Sequence, residues 1–129
     1  MGRPRVAARV GRNGELLACV LYLLRGYRVL GRSVRTPYAQ VDLVCRRGDA
    51  LVLVEVKRRR TARYGTAIES LGPRQAERLA RAATYLAQRS PWAAEVRVDL
   101  VAIDRWRVRT VRNALDGDTY LPESMRGWI

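Results

Sequence analysis

The sequence predicts an α/β fold, with a central mixed β-sheet of about five strands flanked by helices, in one domain spanning residues 1–129. Three observations lead there. Two segments carry apolar residues at helical spacing, one near the start and one in the second half of the chain. Three strand-like stretches separate them, and two more follow the second helix. No internal repeat or linker-like composition divides the chain, and a hydrophobic content of 48% supports a packed core.

The elements follow in order. Residues from about Val6 to Arg25 read as a helix, which Gly26 ends in a left-handed conformation. Within it, Leu16 to Leu24 is nearly all apolar and follows Arg3, Arg5, Arg9 and Arg12, as a signal peptide would begin. Against that stand Glu15 at the head of the run, Arg25-Gly26-Tyr27 after it, and a length short of the roughly 20 residues that span a bilayer. A buried first helix and no membrane association are expected. Tyr27 to about Arg35 forms a first strand, interrupted by Thr36-Pro37-Tyr38. Gln40 to Arg46 alternates, with Val41, Leu43 and Cys45 on one face and Gln40, Asp42 and Val44 on the other. Arg47-Gly48-Asp49 supplies a turn. Leu51 to Lys57 is apolar on both faces for most of its length, as a central strand is, with Glu55 and Lys57 at its far end on the face of Leu51 and Leu53. Arg58 to Tyr64 reads as a basic loop. Pro73 opens a second helix, whose Ala76, Leu79, Ala80, Ala83, Leu86 and Ala87 make one apolar stripe and which Ser90-Pro91 ends. Glu95 to Ile103 and Trp106 to Arg112 complete the strands, and the residues from Asp116 onward read as a mobile tail.

Composition narrows the chemistry. A net charge of +13 and a pI near 11.2 favour a polyanionic partner, with nucleic acid first among them. The plain alternative is a solvated basic surface. With no histidine in the chain, Ser-His-Asp triads, Cys-His pairs and His-ligated zinc are excluded within it. Cys19 and Cys45 form no CxxC motif and suggest no disulfide framework, which fits a reducing cytoplasm. Chemistry here falls to carboxylates, Lys, Arg, Tyr or Ser.

Asp42, Glu55 and Lys57 answer that requirement. Glu55 and Lys57 lie two apart on a strand and so face the same way. If the turn runs from Arg47 to Ala50, Arg46 pairs with Leu51 and Asp42 falls opposite Glu55, with β-carbons roughly 4.5–5.5 Å apart. A turn shorter by one residue would send the two carboxylates to opposite faces. Two carboxylates this close repel, and a magnesium or manganese ion between them relieves the repulsion. Such an ion activates water for phosphodiester hydrolysis, and Lys57 would stabilise charge on the phosphate or help deprotonate the water. The plain alternative is a salt-bridged pair with a lysine at a strand end. One fact of composition counts against it: of 25 basic residues only Lys57 is lysine, and chance puts it there about one time in twenty-five.

Gly14-Glu15 before the apolar helix, Gly26-Tyr27, Val41-Asp42-Leu43-Val44, Val54-Glu55-Val56-Lys57 with Arg59, Tyr64-Gly65, Ala83 to Leu86 and Val98-Asp99-Leu100-Val101 together resemble the YraN-like family of bacterial proteins, within the PD-(D/E)xK nuclease superfamily. The resemblance covers about Gly11 to Ala114, and the core is also similar to that of archaeal Holliday-junction resolvases. It implies a restriction-endonuclease-like core and a metal site of Asp42, Glu55 and the Val56 carbonyl, with Lys57 catalytic and Glu15 assisting. The chain departs from that pattern at Ala39-Gln40, where the family commonly has Gly-Glu, and at Gln75, where it tends to have Lys.

Arg58, Arg59, Arg60 and Arg63 flank the site and are expected to hold phosphates. Arg74, Arg78 and Arg81 extend that track or form a solvated helix face. Asp99 reads as a structural ion-pair partner for an arginine. Three functions are open: a metal-dependent endonuclease acting on DNA, including branched or repair-related DNA; a nucleic-acid-binding protein that kept the nuclease fold with impaired catalysis; and an RNA- or ribosome-associated basic protein. A homodimer is expected, because one small domain covers few base pairs.

Overall fold

A computed structural model of the chain describes residues 14–58, 71–103 and 107–115. Helix α1 (residues 14–24) is followed by β1 (Arg28–Arg35), β2 (Gln40–Arg47), β3 (Ala50–Arg58), α2 (Pro73–Gln88), β4 (Glu95–Ile103) and β5 (Val108–Val111). The strands form one mixed sheet in the order β1-β2-β3-β4-β5. All neighbours are antiparallel except β3 and β4, which run parallel and are linked through α2. This is the expected α/β arrangement. The expected tail from Asp116 and most of the basic loop, including Arg59, Arg60 and Arg63, lie outside the described residues.

Local chemistry accounts for the boundaries. Gly26 takes φ +88°, and the Gly26 and Tyr27 N–H groups donate to the Leu23 and Tyr22 carbonyls, the Schellman pattern that closes a helix. Gly48 takes φ +61° as the first residue of the two-residue β2–β3 turn, which suits the twist of a hairpin. Pro73 opens α2 without a side-chain cap.

The sheet separates two apolar layers. On one face Val44, Leu51, Leu53, Val96 and Val98 pack beneath α2 through Ala76, Leu79, Ala80, Ala83 and Ala87. On the other, Leu43, Cys45, Val52, Val54, Val101 and Ile103 pack beneath Ala18 and Tyr22 of α1. The strict alternation of Val52, Val54 and Val56 against Leu51, Leu53 and Glu55 is as the sequence predicts.

Two expectations are corrected. The first helix is buried on one side only: Leu16, Leu17, Val20, Leu23 and Leu24 are exposed, Leu24 to 81%. A helix apolar all round has a single sheet face to cover in a layered fold, and its remaining apolar residues face outward. The alternation of β2 also slips. Val41 packs with Val44 on the α2 side, while Leu43 and Cys45 lie on the α1 side. β2 pairs with β3 only from Leu43 onward, so the stretch before it is held by β1 alone. There Ser33, whose register falls opposite Asp42, adopts a left-handed φ of 50°.

Asp99 has the structural role expected of it. It is fully buried in β4 and accepts from Tyr22 Oη (2.7 Å), Arg97 Nε (2.9 Å) and the Asn113 N–H (2.9 Å). Arg97 also donates to the Tyr27 hydroxyl. One carboxylate thereby joins α1, the start of β1, β4 and the turn after β5. Burial, then the neighbouring Asp99 charge, pushes the Tyr22 phenol far above its ordinary range, so it stays a donor. Cys19 and Cys45 are both free thiols. No described helix is long and apolar enough to cross a membrane.

Replacing Asp99 with Ala should therefore cost about 3–5 kcal/mol, because the largely buried Arg97 keeps only the exposed Glu95 carboxylate, 3.8 Å away. Tyr22→Phe should cost only about 1–2 kcal/mol. Urea unfolding of the two variants checks the order; equal losses would contradict the assignment of Asp99 as the hub.

Candidate active site

The site forms where β2 leaves β3. Their pairing runs from Arg47↔Ala50 through Arg46↔Leu51 to Leu43↔Val54 and then stops. The same register carries Asp42 opposite Glu55, but no rung forms between them. Instead the Val56 N–H donates to Asp42 Oδ2 at 2.8 Å. A side-chain carboxylate thus takes the donor that a backbone carbonyl would take in a continuing ladder. The contact uses one Asp42 oxygen, and among the described residues no N–H or O–H is recorded donating to the other.

Glu55 lies in the apolar layer between sheet and α2 and is 7% exposed. Its Oε2 accepts from Gln75 Nε2 at 2.5 Å and lies 3.6 Å from Lys57 Nζ. Burial, and then the adjacent Asp42 charge, pushes the Glu55 carboxyl up to about 8, while Lys57 pulls it down. Asp42, Glu55 and Lys57 are thus brought together, with an excess of negative charge that a cation would relieve.

Glu15, near the start of the described part of α1, accepts from Ser33 Oγ at 3.0 Å. Ser33 falls opposite Asp42 in the β1–β2 register, so Glu15 is tied to the strand position facing Asp42. Gly14 packs near the end of β3: a β-carbon there would lie 3.5 Å from Val56 Cγ1 and 3.7 Å from Ile103 Cδ1, ordinary contact distances. Among the described residues no group of three or more Asp, Glu, Cys or His side chains converges closely enough to hold a metal. Among the described residues, a metal ion could draw on the Asp42–Glu55 pair, to which backbone, water or phosphate oxygens would be added. Magnesium accepts that arrangement, since it is commonly held by one or two carboxylates together with waters and substrate phosphates.

Two residues join the site that motif reading did not place in it. Gln75, visible in the sequence only as a departure from a family pattern, is the direct partner of Glu55. Arg109 is the second. It pairs with Ala102, and Ala102 pairs with Lys57. Residues paired across strands point to one face, so exposed Arg109 stands two strands from Lys57, about 10 Å away, on the same side of the sheet. The signal for it was the β4–β5 register, which spacing alone does not give. Arg58 ends β3 and is exposed beside Lys57 in sequence.

Residues 14–103 match the model of uncharacterised protein family UPF0102. This chain belongs to that family. It is 47% identical over 104 residues to a UPF0102 protein of Parvibaculum lavamentivorans, covering 78% of this chain and 77% of the relative. It is 41% identical over 103 residues to a UPF0102 protein of Caulobacter vibrioides, covering 78% and 81%. A UPF0102 protein of Symbiobacterium thermophilum is 38% identical over 115 residues, 84% of this chain and 98% of the relative. The match to the UPF0102 model begins at Gly14 and ends at Ile103, so it spans Glu15, Asp42 and Glu55.

The raised Glu55 carboxyl makes stability pH-dependent. Between its ordinary value of 4.5 and about 8, the folded chain keeps a proton that the unfolded chain has released. Without metal, this group's contribution therefore weakens as pH rises through that window and levels off above it. Glu55→Gln removes the dependence. Urea midpoints in chelator should show the variant gaining on the parent chain from about pH 5 to about pH 8; a constant difference across that range would contradict the shift.

Proposed function

We propose that this UPF0102 protein is a metal-dependent endonuclease that hydrolyses phosphodiester bonds in DNA, with branched or repair-associated DNA as its substrate class, on a PD-(D/E)xK-type core. The observation that carries the reading is the convergence of Asp42, Glu55 and Lys57 where β2 parts from β3. Asp42, Glu55 and the Val56 carbonyl would hold magnesium or manganese. The bound cation would supply Lewis-acid stabilisation of the phosphate and a water acidified toward neutrality.

The chain's own residues divide the remaining work. Gln75 fixes one Glu55 oxygen and so orients the carboxylate. The Val56 N–H does the same for Asp42. Lys57, 26% exposed beside Glu55, presents a compact ammonium to a phosphate entering from solvent and stabilises charge developing there. Arg58 and Arg109 flank it and suit contacts to neighbouring phosphates, with Arg59, Arg60 and Arg63 assigned to the same role from sequence. Glu15, held through Ser33, would assist from the α1 side.

A nucleic-acid-binding protein with impaired catalysis is the second reading, and Gln75 is what favours it. A neutral amide stands against Glu55 where the resembled family tends to have a lysine, so one positive charge is missing beside the carboxylate pair.

Titration calorimetry with manganese should show binding to the parent chain and loss with Asp42→Asn. Lys57→Ala should keep manganese binding and lower cleavage of linear, flapped or four-way DNA by about 10²–10³-fold. Metal binding without cleavage of any of these substrates would favour the second reading. Absence of metal binding, even with DNA present, would overturn the nuclease reading.

A homodimer belongs to this proposal, and the exposed Leu16, Leu17, Val20, Leu23 and Leu24 of α1 support it as apolar residues that a second copy would cover. Light scattering at micromolar concentration should give twice the chain mass, and Leu24→Arg should shift it toward the monomer. A monomeric parent chain would remove the dimer from the proposal.

A further inference from the structure

A cleft of about 400 Å³ opens on the face of the sheet opposite Glu55. It lies between the end of α1 and β5, lined by Tyr22, Arg25, Tyr27, Arg47, Asp99, Thr110 and Arg112. The alternation of β4 fixes its side: Asp99 points with Val101 and Ile103 toward α1, whereas Glu55 points with Leu51 and Leu53 toward α2.

Its charge is one-sided. Among the described residues, Asp99 is the only carboxylate in the lining, and Arg97, Tyr22 and the Asn113 N–H already engage both of its oxygens. Arg25, Arg47 and Arg112 are exposed at the rim, and among the described residues none has a carboxylate within ion-pair distance. Arg25 donates to Thr110 Oγ1 at 3.0 Å, tying α1 to β5 across the opening. The Arg47 guanidinium sits 5.5 Å from the Tyr27 ring centroid, beside an edge-to-face Tyr22–Tyr27 pair. The floor is buried and rigid, the rim is cationic, and the volume lies within the range of small-ligand sites. Guanidinium groups suit phosphate, because their planar fork matches two of its oxygens at once and a phosphate has oxygens enough to be shared by more than one of them.

We propose that this cleft binds the phosphate of a nucleotide-sized ligand, either a free nucleotide or one unit of a nucleic-acid strand. Arg47 and Arg112 hold the phosphate oxygens, and Arg25 and Thr110 close the side. The site is separate from the Asp42–Glu55 pair and does not rest on its being catalytic.

The test is NMR titration of the full-length, isotope-labelled protein with deoxyadenosine monophosphate, with inorganic phosphate and with a short oligothymidylate, in chelator. Shifts should centre on Arg47, Asp99, Thr110 and Arg112. Arg47→Ala and Arg112→Ala should each weaken binding by about tenfold, while Arg89→Ala, an equal loss of charge at the exposed end of α2, should change it by less than about twofold. Binding of the monophosphate identifies a free nucleotide as sufficient; binding of the oligonucleotide alone identifies a strand unit, and both support the site. No saturable shifts at the cleft with any of the three ligands, or equal weakening by Arg89→Ala, would overturn it. The substituted arginines are exposed, so the fold should survive, which circular dichroism checks.

Discussion

Beyond the Leu43–Val54 pair, β2 separates from β3, and the Val56 N–H is taken by the Asp42 carboxylate instead of a backbone carbonyl. Much follows from that substitution. It turns the end of a buried central strand into an accessible notch without leaving the Val56 donor orphaned. It also brings one acidic side chain within reach of another that the apolar layer beneath α2 holds largely dry. Had the ladder continued, the same residues would have formed an ordinary strand end.

The two faces of the sheet handle buried charge in opposite ways. On the α1 side, Asp99 is fully engaged by a guanidinium, a phenol and a backbone N–H, and its negative charge is neutralised within the protein. On the α2 side, Glu55 has an amide and a more distant ammonium, with Asp42 adding negative charge. A satisfied carboxylate rigidifies the fold, whereas an incompletely satisfied one is free to take part in chemistry. The apolar layers on both sides, built from β-branched strand residues and small helical ones, stabilise the fold enough to accommodate that imbalance.

Much of this was legible in the sequence, for identifiable reasons. The β2–β3 register could be read because Gly48 and Asp49 allow a two-residue turn and the flanking strands are long and apolar. The pairing of Asp99 with an arginine followed from a charge amid Val98, Leu100 and Val101. Three things were not legible. The slip in β2 depends on the φ angle of Ser33 and on where pairing with β3 stops, neither of which hydropathy encodes. The exposure of Leu24 depends on how many layers the fold has above α1, and composition alone suggested burial. Arg109 joins the candidate site only through two successive registers. Gln75 stood out in the sequence as an exception, but its contact with Glu55 required the packing of α2.

That packing rests on alanine. Ala76, Ala80, Ala83 and Ala87 bring the α2 backbone close to the sheet, and their short side chains set the gap between the two layers. The helix thereby acts as a calibrated spacer. A larger residue at Ala76 would lift the first turn by the thickness of the added methyl groups, and Gln75, the next residue along, would be drawn off Glu55 with it. The orientation of a carboxylate on the central strand is thus set at a distance by side chains with no polar atoms.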